Sequence, residues 1–202
     1  MKLYYAPGAC SLAPHIVARE AGIDLKLDKV DWKTKKTESG KDFASVNPKG
    51  YVPALELDDG QLLTEGPVIQ QYLADKKPAS GLAPAAGTLE RYRLQEMLTY
   101  INSEIHKQFG PLFNPNITPE AKEYQFATIR RRLEFLDKGL GAKQFLLGDK
   151  FTVADAYLFV MLSWTDHMKV DISGLKNLAA YKGRVFARPA VQAAMKAEGL
   201  IQ

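Results

Sequence analysis

Through residue 75 the chain alternates short strand-like runs with helical ones, and beyond residue 87 nothing reads as a strand. That asymmetry admits few folds, because a sheet built only from the first third of a chain must be closed by its own helices. Lys2–Tyr5 reads as a buried strand, Ser11–Ala21 as a helix with one apolar side, and Leu25–Val30 as a second strand. Asp42–Val46 is at best a short helix, and Asn47-Pro48-Lys49-Gly50 is a dense turn signal. Residues 54–57 and 61–63 flank Asp58-Asp59-Gly60, so an antiparallel hairpin is expected there, followed by a helix over Glu65–Ala74. The order is βαβ, then ββα.

Pro78, Gly81, Pro84 and Gly87 punctuate a stretch with little apolar periodicity, which reads as a linker. Helical spacing returns over Leu89–Phe109, Ala121–Leu140, Val153–Met168, Leu178–Phe186 and Val191–Ala197. The predicted architecture is therefore α/β plus all-α: a first domain over 1–78, a linker over 79–87 and a helical domain over 88–202. Thr152 and Asp155 form a helix-start signature in which each side chain can answer the other's backbone N–H, a structural capping box.

Composition excludes several classes. Hydrophobic residues make up 46% and charged ones 25% of 202 residues, which rules out a disordered or fibrous chain. The net charge of +4 is modest for a nucleic-acid binder. Residues 1–80 hold eleven basic and eleven acidic side chains, so the excess lies in the second part, where Arg130-Arg131-Arg132 sits in a helical pattern that turns most of it to solvent. No run approaches the roughly 20 apolar residues that span a bilayer, and no basic segment leads into an apolar one at the N-terminus. No nucleic acid, membrane or metal partner is expected, and with a single cysteine the expected compartment is the reducing cytoplasm.

That cysteine, Cys10, stands where the first strand gives way to the first helix. Unpaired N–H groups and the positive end of the helix dipole favour a thiolate there. The alternative is a small buried hydrophobe. Pro53 is the second unusual residue, since it directly precedes a strand and would remove a ladder donor. A cis Val52–Pro53 bond would instead turn Val52 outward, with its N–H and C=O free to pair an extended peptide; the alternative is a plain edge-strand proline. A cysteine at the first helix start within this βαβ–ββα order is the thioredoxin-like layout.

Tyr4-Tyr5-Ala6-Pro7-Gly8-Ala9-Cys10-Ser11 and Asn47-Pro48-Lys49-Gly50-Tyr51-Val52-Pro53-Ala54-Leu55 are joined by three further motifs: Leu63-Thr64-Glu65-Gly66, Glu104-Ile105-His106-Lys107 and Phe151-Thr152-Val153-Ala154-Asp155-Ala156-Tyr157. In order and spacing, over essentially the whole chain, they resemble the cytosolic glutathione transferases, and most closely the bacterial beta class. The resemblance implies a thioredoxin-like domain binding glutathione as co-substrate, a helical domain with an electrophile pocket, a homodimer and no permanently bound cofactor. It implies that Val52 pairs with the cysteinyl residue of glutathione ahead of cis Pro53, that Glu65 and the Gly66 N–H hold the γ-glutamyl end, and that Lys35 takes the glycyl carboxylate. His106 would join Cys10 at the sulfur as the catalytic pair, and Ser103 and Glu104 would reach the partner subunit's glutathione. Thr99 stands where close relatives carry a glutathione-binding asparagine, and Gly66 where others carry serine.

Phe109, Phe113 and Trp164 are candidates for the electrophile pocket, equally readable as ordinary core. The implied activity is conjugation of the glutathione thiolate to small, largely apolar electrophiles. Two alternatives stay open: glutathione-dependent reduction of disulfides through a Cys10–glutathione mixed disulfide, and a non-catalytic ligand-binding module.

Overall fold

A computed structural model describes residues 1–202, which divide into two compact units: Met1–Ala83 with Ala187–Gln202, and Pro84–Phe186. The first is built on a four-stranded sheet of β1 (Lys2–Tyr5), β2 (Lys26–Lys29), β3 (Ala54–Glu56) and β4 (Leu62–Thr64), in the order β2-β1-β3-β4. β1 runs parallel to β2 and antiparallel to β3, and β3 pairs antiparallel with β4. Leu3 lies opposite both Leu27 and Leu55, and Tyr4 lies opposite Ala54. Successive strand side chains alternate faces, so one register fills both sides of the sheet.

Helix α1 (Leu12–Glu20) packs against α3 (Gly66–Lys76), which also contacts β3 and β4. A second cluster joins Tyr4, Ala6, Val30, Phe43, Val52 and Ala54, with Phe43 brought in by the one-turn helix α2 (Phe43–Val46). Asp42 caps that turn by accepting from the Ala44 N–H, as the polar residue before a helix should.

The predicted helical domain is corrected at its C-terminal end. Its last helix, Pro189–Ala197, belongs to the first unit, where it packs on α1. Arg188 forks onto the Glu20 carboxylate at 2.6 and 2.8 Å. Glu198 is buried, accepting from the Gly8 N–H at 3.0 Å and lying 2.9 Å from Nδ1 of buried His15. Gly8 is glycine for two reasons: its φ is +69°, and a Cβ there would stand 3.3 Å from Leu200. Periodicity shows that Val191 and Ala194 are buried, but not against what.

The second unit is all helical, as expected. α4 (Leu89–Tyr100) widens through a π-helical stretch over Ile101–His106, returns to α5 (Lys107–Phe109) and ends in a 3₁₀ turn over Gly110–Phe113. It is followed by α6 (Pro119–Leu140), α7 (Val153–Met168) and α8 (Lys176–Phe186). Every residue from Val153 to Leu162 is buried, which marks α7 as the central helix. Its start is tied by the capping box read from the sequence: the Asp155 carboxylate accepts from the Thr152 N–H at 2.8 Å and hydroxyl at 2.9 Å, the Leu146 N–H at 2.9 Å and the Tyr181 hydroxyl at 3.0 Å. No helix is long and apolar enough to cross a membrane.

Candidate functional site

In the first unit, the turn between β1 and α1 brings Cys10 to the cis Val52–Pro53 bond. Ser11, fully buried, fastens this turn by exchanging hydrogen bonds with the N–H and C=O of Ala6 at 3.1 and 3.2 Å. The Cys10 thiol donates to the Val52 carbonyl at 3.3 Å. The expected outward display of Val52 is thus half kept: its N–H makes no hydrogen bond within the protein, while its C=O carries the thiol proton.

Of the two readings of Cys10, the activated thiolate finds the less support. The N–H groups of Cys10 and Ser11 favour the thiolate, as the helix-start argument requires, but burial outweighs them and, with help from the charge of Glu65, pushes Cys10 up to about 12. The dipole end is also weakened locally, because the Leu12 and Ala13 N–H groups are already bonded to the carbonyls of Ala9 and Cys10.

Glu65 precedes α3 with φ +71°, a conformation that costs an ordinary residue about 1 kcal/mol or more. Of the first N–H groups, those of Val68 and Ile69 are bonded to the Glu65 carbonyl and Pro67 has none, so one donor, the Gly66 N–H, is left for an anion. A Cβ at residue 66 would meet Pro53 Cγ at 3.7 Å and Gln70 Nε2 at 3.8 Å, ordinary contacts, so space does not require glycine here. Gln70 is fully buried and neither amide atom has a hydrogen-bond partner.

Two residues given no role in the sequence reading engage Glu65. Lys49 Nζ lies 3.0 Å from Glu65 Oε1 and 2.9 Å from Thr64 Oγ1, and the Tyr51 hydroxyl donates to the same Oε1 at 3.1 Å. Both are local in space but 14 to 16 residues away in the chain, and no short-range pattern pointed to them. Lys35 is exposed, with φ +57° and its ammonium 5.0 Å from the centroid of the Trp32 ring.

In the second unit, the π-helical stretch carries Asn102, Ser103, Glu104 and His106, a distortion that often marks functional segments. Thr99 and Ser103 are exposed, and the Ser103 hydroxyl donates back to the Thr99 carbonyl at 3.0 Å. Glu104 is engaged by Arg132 of α6 at 2.6 Å. His106 Nδ1 lies 2.6 Å from the Tyr157 hydroxyl, which also lies 2.9 Å from Asn102 Oδ1. Burial, with the charge of Lys107 behind it, lowers His106 to about 4, so the ring is neutral at pH 7. Trp164 brings the aromatic candidates together, meeting His106, Phe109 and Phe113 edge to face at 5.1, 5.5 and 5.3 Å between centroids. Phe109 is fully buried, whereas Phe113 is 55% exposed, so of the two only Phe113 is open to solvent.

The family descriptions "Glutathione S-transferase, N-terminal domain" and "Glutathione S-transferase, C-terminal domain" match residues 1–75 and 100–189. The chain is 48% identical over 200 residues to glutathione S-transferase GstA of Escherichia coli O157:H7, covering 99% of this chain and 100% of that one. A sphingomonad glutathione S-transferase complexed with glutathione is 52% identical, with a TM-score of 0.96 and full coverage of both chains. The bacterial beta class glutathione S-transferase of Sphingomonas chungbukensis is 53% identical, also with a TM-score of 0.96 and full coverage of both. With both domains matched in order and relatives aligned end to end, the chain belongs to the glutathione S-transferase family and to its bacterial beta class.

Proposed function

We propose that this protein conjugates the thiolate of glutathione to small, largely apolar electrophiles. The Val52 N–H pairs with the cysteinyl residue of the tripeptide, Glu65 and the Gly66 N–H hold its γ-glutamyl end, and Lys35 takes its glycyl carboxylate. The observation that carries the choice of chemistry is the Cys10 thiol 3.3 Å from the Val52 carbonyl, a contact that requires the proton, with desolvation acting in the same direction. A protonated thiol is a poor nucleophile, and it can donate to a neighbouring thiolate only by giving up the Val52 carbonyl, which favours conjugation over a mixed-disulfide cycle.

In the conjugation step the thiol of glutathione loses its proton to His106, and the sulfur displaces a leaving group from, or opens an epoxide at, an electrophilic carbon. Phe113 and Trp164, backed by Phe109, offer the apolar surface for that electrophile, while Thr99 supplies a polar contact to glutathione and Ser103 and Glu104 reach the glutathione of the partner subunit. Glutathione is consumed as co-substrate.

The protein is proposed to work as a homodimer. Leu89 and Tyr92 on α4 and Tyr124 and Phe135 on α6 are 60 to 66% exposed, more apolar surface than two helices of a monomer need to show.

Parallel assays with 1-chloro-2,4-dinitrobenzene and with hydroxyethyl disulfide, each with glutathione, test the chemistry. Conjugation that survives Cys10→Ser while disulfide reduction stays negligible is the expected result. Robust disulfide reduction abolished by that substitution would reverse the assignment, and absence of both activities would leave a binding module. Light scattering should give twice the 22.4 kDa of the chain.

A further inference from the structure

The two hydrogen bonds at the Tyr157 hydroxyl have a direction. A phenol has one proton, and Asn102 presents to it the carbonyl oxygen Oδ1, which can only accept. The proton is therefore spent on Asn102 at 2.9 Å, and the contact with His106 Nδ1 at 2.6 Å is a bond in which the phenol oxygen accepts. The donor is Nδ1–H. In a neutral imidazole the other nitrogen, Nε2, then carries the lone pair.

The geometry is well built for this purpose. Asn102 and His106 are four residues apart within the same π-helical stretch, and both reach one oxygen on α7. Tyr157 is 2% exposed, and its ring meets that of His106 edge to face at 5.7 Å between centroids. The imidazole is also flanked by Trp164, so its orientation is fixed by a hydrogen bond and two ring contacts.

We infer that Tyr157 and Asn102 are positioning residues that lock His106 in the Nδ1–H tautomer, so that His106 can act only as an acceptor, through Nε2. This rests on the proposed role of His106 toward the glutathione thiol, and it narrows that role: the ring takes the thiol proton rather than donating a hydrogen bond to a thiolate already formed. The S–H bond breaks, an Nε2–H bond forms, and the resulting imidazolium keeps its Nδ1–H on the Tyr157 oxygen; burial disfavours that cation, so the proton passes on to water.

The tautomer is read directly by nitrogen-15 NMR of the full-length protein labelled at histidine, at pH 7. Wild type should show a protonated Nδ1 and an unprotonated Nε2 for His106, and Tyr157→Phe should shift the ring toward the opposite tautomer. In dinitrophenyl conjugation, Tyr157→Phe should lower kcat about tenfold, with the KM for glutathione little changed. Asn102→Asp, which keeps an acceptor, should preserve the tautomer, while Asn102→Leu should loosen it.

A wild-type Nε2–H tautomer would overturn the inference, because it would mean that the Asn102 amide is reversed and the phenol donates to the imidazole. An unaltered tautomer in folded Tyr157→Phe would overturn it equally. Failure of the underlying role looks different: His106→Asn would retain full conjugation while the wild-type tautomer still read as Nδ1–H.

Discussion

The ammonium of Lys49 stands 3.0 Å from the Glu65 carboxylate, on the same oxygen that the Tyr51 hydroxyl reaches at 3.1 Å. On the proposed reading, in which this carboxylate holds the ammonium at the γ-glutamyl end of glutathione, the lysine fills the place of the substrate's charge. Binding must displace Lys49 or turn it toward the substrate carboxylate. Lys49 and Glu65 are 48 and 46% exposed, so solvent screens the pair and it holds weakly. Lys49→Met should therefore tighten glutathione binding about two- to fivefold by calorimetry, whereas Glu65→Gln should weaken it tenfold or more. Weaker binding by Lys49→Met would show that the lysine holds substrate rather than its site.

The floor beside Gly66 invites a serine. With a Cβ at 3.7 Å from Pro53 and 3.8 Å from Gln70 Nε2, a hydroxymethyl group fits and its oxygen can partner the buried amide. Gly66→Ser should raise the melting temperature by a few degrees, through about 1 kcal/mol from the new bond. Glutathione affinity should rise with it. A lower melting temperature would mean that the pocket around Gln70 cannot take the oxygen.

Burial rather than the helix dipole governs Cys10, and alkylation should say so. With its thiol pushed up to about 12, the thiolate fraction at pH 7.5 is far smaller than for a free cysteine near 8.5. Iodoacetamide should modify Cys10 at least about a hundredfold more slowly than free cysteine, with a rate still climbing above pH 9. Rapid labelling that levels off near neutrality would restore the activated-thiolate reading.

For His106 the sign of the pH effect follows from its lowered value. An unfolded histidine takes up its proton near 6.5, whereas the folded ring resists until about 4. The unfolded state therefore binds more protons in between, and stability is fully present above pH 6.5 and lost as pH falls toward 4. Thermal melts at pH 7 and pH 4.5 should show a larger loss for wild type than for His106→Asn. Equal losses would remove His106 from the acid response.

Asp155→Ala would leave the Thr152 and Leu146 N–H groups unpaired in the core and the Tyr181 hydroxyl with only its 3.3 Å bond to the residue 155 carbonyl. The cost should be about 3 kcal/mol or more, roughly 6–12 °C in melting temperature for a chain of this size. Asp155→Asn, which keeps one acceptor, should recover part of it. A change under about 1 kcal/mol would mean that water replaces the carboxylate.

The legible parts of the fold and site were those whose causes lie close together in the chain. Thr152 and Asp155 are three residues apart, and their capping box formed as read. Pro53 before a strand left two readings, a cis bond or a plain edge-strand proline, and the bond is cis. The helices were found to within two residues or so at each end, because apolar spacing is a local signal. What the sequence hid depends on distant packing. The N–H groups at Cys10 act in the expected direction, but the desolvation that defeats them is set by the folded surroundings. Tyr157 looked like any core aromatic until its hydroxyl was seen between Asn102 and His106. Glu198, close to the end of the chain, carried no sign that its carboxylate belongs to Gly8 and His15.

That last link has a consequence for biosynthesis. The glutathione-binding unit is discontinuous: its first 83 residues leave the ribosome well before the 16 that complete it, with the 103 residues of the other unit made in between. At roughly 5–20 residues per second, several seconds pass in which His15 lacks its carboxylate and the turn bearing Cys10 lacks its tether. The helical unit is therefore free to fold first, on the nascent chain, and the unit that begins the sequence is the last to be finished.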